Sequence, residues 1–489
     1  MKLADLVSPI PGARLESGAN IEIERVIYDS RQARPGDLFV AVPGYHVDGH
    51  LFAAQAAIAG AAVAVAEAVE LPAGTSVVRL IDTRRGLAAL AAAFYNHPTA
   101  HLFLAGITGT DGKTTTTHLA THLLEATGRE TGFVSTVAMG FGAQARDNRS
   151  GQTTMESPLV QKSLAEMVAE GKTHAVLEVT SHALVQERVA ACDFDVVAFT
   201  NVGHDHLDFH PTWEDYLAAK AQLIDLCANS ASKALEKTAI LNRDDRSFDH
   251  LARKSIPRRW SYGMDVGADL WAGDIRSDLA GSDFRIGGRW GEARTRLPMP
   301  GRFNVYNALC AATIALAFEV TLTEVAECLT AFPGVRGRLE SIALGQPFGV
   351  YVDFAHSAGS LAATLGALRP LTEGRLMVVF GSTARADHDR PGMGIAAAAG
   401  SDYFVISTDD PLTEDPAAIA QEVASGVPPG SRYEIILDRR EAIRHIIAMA
   451  RPGDLVLLAG KGHEQTMRIG DRSMPWNDRT EAEAAIRNL

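Results

Sequence analysis

The sequence predicts an α/β protein of three domains, each built on a mainly parallel sheet. Three observations predict it. The chain has 489 residues, which at roughly 150 residues per domain suggests three. Short apolar runs alternate with helical stretches along most of its length, the rhythm of parallel sheets covered on both faces. One of those runs passes through a glycine-rich turn into a threonine-rich helix start, the local context of a phosphate-binding loop.

Residues 1–97 read as a small α/β domain with strands at 21–28, 38–42, 62–66 and 77–81, and His97-Pro98-Thr99 punctuates its end. The stretch from Ala53 to Val69 is rich in alanine but interrupted by Gln55, Gly60 and Glu67, so it reads as a soluble helix and strand rather than a membrane span. Residues 98–333 form a central domain, with strands at 101–105, 173–179 and 195–200. Residues 334–489 repeat the rhythm, with strands at 349–353, 375–381, 403–407, 434–437 and 455–459 and helices at 361–368 and 441–449. In such open sheets ligands gather beyond the carboxyl ends of the strands.

Apolar residues make up 46% and charged residues 21%, with a formal charge of -13. That balance is globular, and the charge disfavours a general nucleic-acid binder, which needs surplus Lys and Arg. The four cysteines, Cys192, Cys227, Cys310 and Cys328, form no C-x-x-C pair, so reduced thiols in a cytosolic protein are expected. The first residues lack the charged-then-apolar layout of a signal peptide.

The central domain carries the sharpest motif. Gly106-Ile107-Thr108-Gly109-Thr110-Asp111-Gly112-Lys113-Thr114 follows an apolar strand. Glycines let backbone N–H groups turn inward, and a helix N-terminus favours an anion. Lys113 is placed to reach the β- and γ-phosphates and the Thr114 hydroxyl to bind Mg²⁺. Ile107 stands where the full Walker pattern has glycine, so only the shorter G-x-x-G-K-T is met.

Glu178 ends an apolar strand before Thr180-Ser181-His182, and the next strand runs into Gly203-His204-Asp205-His206-Leu207-Asp208-Phe209-His210. Mg²⁺ prefers oxygen ligands, which suits Glu178; a solvated strand end is the plainer alternative. The histidine run almost spells the H-x-H-x-D-H of metallohydrolases, but Phe209 stands where that pattern has histidine.

Thr212 and Asp215 predict a capping box. On the helix that follows, Trp213, Tyr216, Lys220 and Leu223 share one face, so a lysine falls in an apolar stripe. Either it snorkels to water, or burial makes its amine chemically reactive.

At these residues the chain resembles the Mur ligase family, over nearly its whole length, and within it most resembles the MurE branch, which adds the third residue to a UDP-N-acetylmuramoyl peptide. The resemblance implies a small N-terminal UDP-binding domain, a central P-loop ATPase-like domain and a C-terminal Rossmann-like domain. In the first, Asp29-Ser30-Arg31, Pro35-Gly36-Asp37 and Asp48-Gly49-His50 match the family, with Ser30, Tyr45 and His46 at uridine-contacting positions. In the second, the segment from Thr108 to Thr116 matches the ATP loop, implying nucleotide contacts from Gly109, Thr110, Asp111, Gly112, Lys113, Thr114 and Thr115. Thr153, Thr154, Ser181, Gln186 and Arg188 match positions that hold the muramoyl dipeptide. Glu178 and His206 match metal ligands, and Lys220 matches a lysine carbamylated by CO₂, which would turn a carboxylate towards Mg²⁺.

Gly301-Arg302-Phe303-Asn304 resembles the adenine-contacting stretch, with Asn304 its key residue. Arg338, Asp353 and His356 match segments that close over ATP, and Gly460-Lys461-Gly462-His463-Glu464 a signature near the incoming amino acid. The implied reaction is transfer of the γ-phosphoryl group to a carboxylate, then attack by an amine on the acyl phosphate. Lys113, Mg²⁺ and His206 would stabilise charge, and domain closure would exclude water. The implied partners are small molecules, with no nucleic acid and no membrane, and the chain is expected to act as a monomer.

Two departures stand out. Branch members that use diaminopimelate carry D-N-P-R, whose arginine grips the distal carboxylate; here the residues are Asp409-Asp410-Pro411-Leu412. Leu412 cannot make that contact, and Asp410 adds negative charge. A side chain ending in ammonium, lysine or ornithine, is therefore expected, with Arg390 for the α-carboxylate. Met155 follows Thr154 where proline is common, leaving room for a paralogue acting on another carboxylate and amine. A metal-dependent hydrolase using His204, His206 and Asp208 is the rival from another class.

Overall fold

The computed structural model describes residues 1–44, 47–203, 209–384 and 389–489. Among the described residues three large sheets organise the chain in succession, with a two-stranded ribbon of Thr466–Ile469 and Arg472–Pro475 beside them.

The first sheet has the strand order Arg14–Leu15, Val77–Arg79, Ala62–Val65, Asp37–Val40, Arg25–Ile27, parallel except for the first pair. Its central strands are buried on both faces: Leu38 and Val40 join one cluster and Phe39 and Ala41 the other. The expected strand at 21–28 shrinks to Arg25–Ile27. Arg25 spends its guanidinium on a bidentate pair with buried Asp37 (2.8 and 2.7 Å).

The second sheet has a parallel centre: Thr131–Val134, His174–Glu178, Phe103–Thr108, Val196–Phe199, Thr238–Asn242 and Arg258–Gly263. Beyond one edge lie Leu270–Asp278, Gly281–Gly288 and Gly291–Leu297, the last two antiparallel to their neighbours, and beyond the other a small hairpin of Ala138–Gly140 and Arg146–Asp147. Successive strand residues feed opposite cores: Ala105 and Ile107 face one, Leu104 the other. The helix Arg302–Ala317 is buried almost all round, as a helix packed into a core must be.

The third sheet has the order Glu340–Ser341, Gly349–Asp353, Leu455–Ala459, Leu376–Phe380, Tyr403–Ile406, Tyr433–Ile435, with only the first strand antiparallel. The carboxyl ends of its strands carry Asp353, Asp409 and Gly460. All four cysteines are free thiols, three of them buried. Among the described residues no helix is long and apolar enough to cross a membrane.

Candidate active site

The site begins at the strand Phe103–Thr108 and the helix Lys113–Ala126. Between them Gly109 has φ +151, and a Cβ there would stand 1.8 Å from Thr200 Oγ1; only glycine fits this approach. The loop is laced to the end of the neighbouring strand. Thr110 N donates to Asn201 O (2.8 Å), Asp111 N to Asn201 Oδ1 (3.0 Å), and Thr200 Oγ1 to Asp111 O (2.6 Å). Lys113 Nζ lies over the loop, donating to Gly109 O (3.0 Å) and Thr110 O (2.7 Å). Ile107 sits within the strand, fully buried, so the glycine turn starts two residues later than a full Walker loop.

Glu178 is not a solvated strand end: it is 1% exposed. Its carboxylate accepts from Thr114 Oγ1 (3.0 and 3.1 Å), Thr136 N (2.9 Å) and Thr136 Oγ1 (3.0 Å). Thr153 Oγ1 is 3.0 Å from Thr136 Oγ1, and Thr154 Oγ1 donates to Glu178 O (2.8 Å). Glu178 therefore joins the phosphate loop to both threonines, to Thr153 through its carboxylate and Thr136, and to Thr154 through its main-chain carbonyl.

Next to it, Ser181 opens the short helix Ser181–Val185, with Thr180 as its cap. The Arg188 guanidinium is held by Thr154 O (2.7 Å), Gln186 Oε1 (2.6 Å) and Glu156 (3.1 Å). Glu156 also pairs with Arg84 (3.2 Å), whose other nitrogens donate to Pro43 O (3.0 and 2.7 Å). This buried Arg–Glu–Arg chain ties the first sheet's loops to the centre, and neither Arg84 nor Glu156 was expected from the sequence; the only hint was Glu156 lying two residues beyond Thr154.

Lys220 does not snorkel. It lies on the helix Trp213–Asn229, 1% exposed, with Nζ donating to Gly109 O at 2.6 Å and standing 4.3 Å above the Tyr216 ring. Thr212 caps that helix through Asp215 N (3.1 Å), while the Asp215 carboxylate accepts from the Thr212 hydroxyl (2.7 Å); the return bond to the Thr212 amide of a full capping box is absent. His206, His204, Asp205 and Asp208 lie outside the described residues.

Asn304 is buried in the first turn of the helix Arg302–Ala317, which Gly301 caps. It donates to Pro300 O (2.8 Å) and accepts from Asn307 (3.2 Å), and Asn307 Oδ1 closes against Gly112, where a Cβ would stand 2.2 Å away. From the third sheet, Arg338 reaches Thr114 Oγ1 (3.3 Å) and lies over the Phe354 ring (4.6 Å). Asp353, buried at the end of the strand Gly349–Asp353, accepts from Leu339 N (2.7 Å) and Ala355 N (2.9 Å), and burial raises its pKa against the pull of Arg338. His356 Nδ1 contacts Phe354 O (2.9 Å). Gly337, at φ +64, lets the linker touch the Gly462-His463 backbone, 2.0 Å from where a Cβ would sit.

A second charged centre lies at the strand ends of the third sheet. Asp409, Asp410 and Glu464 bring carboxylate oxygens within 4.8 Å of one another. Fully buried Lys461 stands among them, at 3.7, 2.8 and 2.5 Å. Burial opposes charge on Lys461, but Asp409, Glu464 and Asp410 hold its pKa above the ordinary range. Burial likewise raises Asp409 and Glu464, against the pull of Lys461. Asp410 and Leu412 have positive φ (39° and 50°), strain of the kind that accumulates at functional sites. The structure corrects one expectation: the Asp410 carboxylate is not a free charge, since it accepts from Lys461 and from Arg468 N (2.9 Å). Lys461 lies inside the Gly460-Lys461-Gly462 motif, and its pairing with these carboxylates is not legible in the sequence. Arg390 is occupied as well, by Glu414 (2.9 Å), Glu422 (2.7 Å) and Thr383 O (3.1 Å).

In the first sheet, Ser30 opens a short 3₁₀ turn capped by Asp29. Asp48 and His50 lock together (2.7 Å), and His50 Nε2 accepts from Ala66 N (3.1 Å). Tyr45 and His46 lie outside the described residues.

Three family models match the chain: the Mur ligase family catalytic domain over residues 22–95, the Mur ligase middle domain over 107–315, and the Mur ligase glutamate ligase domain over 337–462. The chain belongs to the Mur ligase family, ATP-dependent enzymes that join an acid to an amino acid, and it is MurE-like within it. It is 44% identical to a UDP-N-acetylmuramyl-tripeptide synthetase of Roseiflexus sp., over 96% of each chain. It is 40% identical to a UDP-N-acetylmuramoyl-L-alanyl-D-glutamate–2,6-diaminopimelate ligase of Bacillus licheniformis, over the full length of both. Among solved structures, a ligase described by that same diaminopimelate name matches with a TM-score of 0.70 at 28% identity, covering 100% of this chain and 99% of the other.

Proposed function

We propose that this enzyme adds the third amino acid, a diamino acid, to UDP-N-acetylmuramoyl-L-alanyl-D-glutamate, with ATP activating the acceptor carboxylate as an acyl phosphate. The observation that carries this reading is a continuous path: Lys113 and Lys220 meet at Gly109 O, Thr114 meets Glu178, and Glu178 leads through Thr154 to Arg188. Nucleotide and acceptor then share one carboxylate-centred cleft. The domains would divide at 97/98 and 333/334, each around its own sheet.

A carboxylate is a poor acyl donor because attack would have to expel oxide. Phosphorylation by ATP supplies a leaving group; the amine then adds, and phosphate departs, leaving an amide, ADP and phosphate. Residues Gly109 to Thr115 would cradle the phosphates, and Asn304 would meet adenine. Lys113 would turn from its own loop to the transferred phosphoryl group. Arg338, Asp353 and His356 would close over the nucleotide, with Arg338 already at Thr114. Ser30, Tyr45 and His46 would hold the uridine end, and Thr153, Thr154, Ser181, Gln186 and Arg188 the peptide.

The donors at Glu178 fit a magnesium ion: a buried carboxylate with the Thr114 hydroxyl 3.0 Å away is an all-oxygen start to a hard-cation site. Thr114, Glu178, His206 and a carbamate on Lys220 would hold it. Magnesium bound there supplies charge neutralisation at the phosphoryl oxygens. A carbamate on Lys220 would stand at the turn of the phosphate loop, since the buried amine already meets Gly109 O at 2.6 Å and lies over the Tyr216 ring.

For the incoming amine, Arg390, Asp409, Asp410, Gly460 and Glu464 would form the site. Three carboxylates share one lysine there, leaving surplus negative charge, and Leu412 offers no donor to a distal carboxylate. Both features favour lysine or ornithine over diaminopimelate. The test is phosphate release from ATP with the UDP-muramoyl dipeptide and a panel of amines. Turnover with lysine or ornithine is expected; turnover with diaminopimelate alone rejects that choice, and none with any amine rejects the acceptor.

A further inference from the structure

The histidine run contains one described histidine that the ligase reading leaves without a task, His210. It is 4% exposed, and its Nε2 lies 3.0 Å from Oγ of Ser181, itself 1% exposed. Its ring packs on Tyr216 (centroids 5.2 Å apart) and edge-on against Phe209 (4.8 Å). Tyr216 in turn meets Thr110 Oγ1 through its hydroxyl (3.3 Å) and carries Lys220 Nζ over its ring (4.3 Å). His210 therefore stands between Ser181, on the acceptor side, and the Tyr216–Lys220 pair that abuts the phosphate loop.

We propose that His210 is a positioning residue that fixes the Ser181 hydroxyl against the acceptor peptide and registers it to Lys220 through Tyr216. This rests on the reading above that Ser181 faces the acceptor. A serine side chain can occupy three staggered χ1 rotamers, and its hydroxyl hydrogen rotates, unless a neighbour selects one arrangement. The imidazole is rigid, buried, and packed against the rings of Tyr216, Phe209 and His182, so it selects that rotamer at little entropic cost at the moment of binding. Small displacements of a positioning group are costly in rate: about 1 Å can cost 10²-fold. His210 acts through Ser181 and touches no reacting atom, so its loss is felt in acceptor use and not in nucleotide affinity.

The test uses the full-length enzyme with ATP, acceptor and the preferred amine. His210→Ala is expected to lower kcat/KM for the acceptor by roughly 10- to 100-fold while KM for ATP stays within about twofold. His210→Gln, whose amide nitrogen falls where Nε2 lies, is expected to recover most of the loss; His210→Asn, one bond shorter, is not. In a Ser181→Ala background the His210→Ala loss should shrink to less than about threefold, because the two residues act as one unit. Strictly additive losses, equal behaviour of the Gln and Asn variants, or a parallel rise in KM for ATP would overturn the proposal. The Gln/Asn comparison still decides if the alanine variant does not fold. An inactive wild type overturns the acceptor reading and this proposal together; an active wild type with additive losses overturns this proposal alone.

Discussion

Lys220 donates to the carbonyl oxygen of Gly109 at 2.6 Å, from a helix far along the chain to the turn of the phosphate loop. The same oxygen accepts from Lys113 at 3.0 Å. Two lysine side chains thus converge on one main-chain atom, beside a carboxylate, Glu178, that is itself bonded to the loop's threonine. Lys220 therefore abuts the turn of the phosphate loop directly.

Lys220→Ala should lower phosphate release by at least ~100-fold, the scale of losing one well-placed electrostatic group. Acetate or formate should restore part of it by standing in for a carbamate, and intact-mass measurement of the wild type should show one added CO₂. Undiminished turnover in the alanine variant would show that Lys220 serves packing only.

Glu178→Gln keeps the shape and the acceptor for Thr136 N but removes the charge. Turnover should fall by ~10²–10³-fold, with a higher magnesium requirement and a melting temperature close to wild type. A variant that titrates with magnesium as the wild type does would place the ion elsewhere.

Leu412→Arg, combined with Asp410→Asn, rebuilds D-N-P-R. The pair should raise kcat/KM for diaminopimelate relative to lysine or ornithine by ~10-fold or more, since a bidentate arginine–carboxylate contact gains energy only with the distal carboxylate. An unchanged preference would mean that residue 412 does not read the side chain's end.

His118 and His463 set a pH dependence. Burial, reinforced by Arg338 and Arg336, lowers His118 from its ordinary 6.5 to about 4 and His463 to about 3. With the folded pKa below the unfolded one, the unfolded chain takes up the proton first. Stability should therefore be lost as pH falls from about 6.5 towards 4, at about 1.4 kcal/mol per pH unit for each histidine. Asp409 and Glu464, raised by burial, work in the opposite direction, so the comparison must be with His118→Gln, which keeps a nitrogen for Ser135 (3.1 Å). Urea midpoints between pH 7 and 4.5 should show a shallower slope in the variant; parallel slopes would contradict it.

The sequence by itself determined the local elements whose signals are local. The strands Gly349–Asp353 and Leu455–Ala459 stand where apolar runs bounded by turns put them, and the loop at Gly109–Lys113 is legible because glycine turn, lysine and helix start are contiguous. The strands Leu270–Asp278 through Gly291–Leu297 were missed because their exposed edges carry charge at alternate positions, diluting the apolar run that marks a buried strand. Only the tertiary structure decided between a snorkelling and a buried Lys220, since a helical stripe gives a face but not what covers it. Only it revealed that Asp410 is paired with Lys461, and that Arg84, Glu156 and Arg188 form one chain. Burial and ion pairing depend on which distant segments meet, and no periodicity along the chain encodes that.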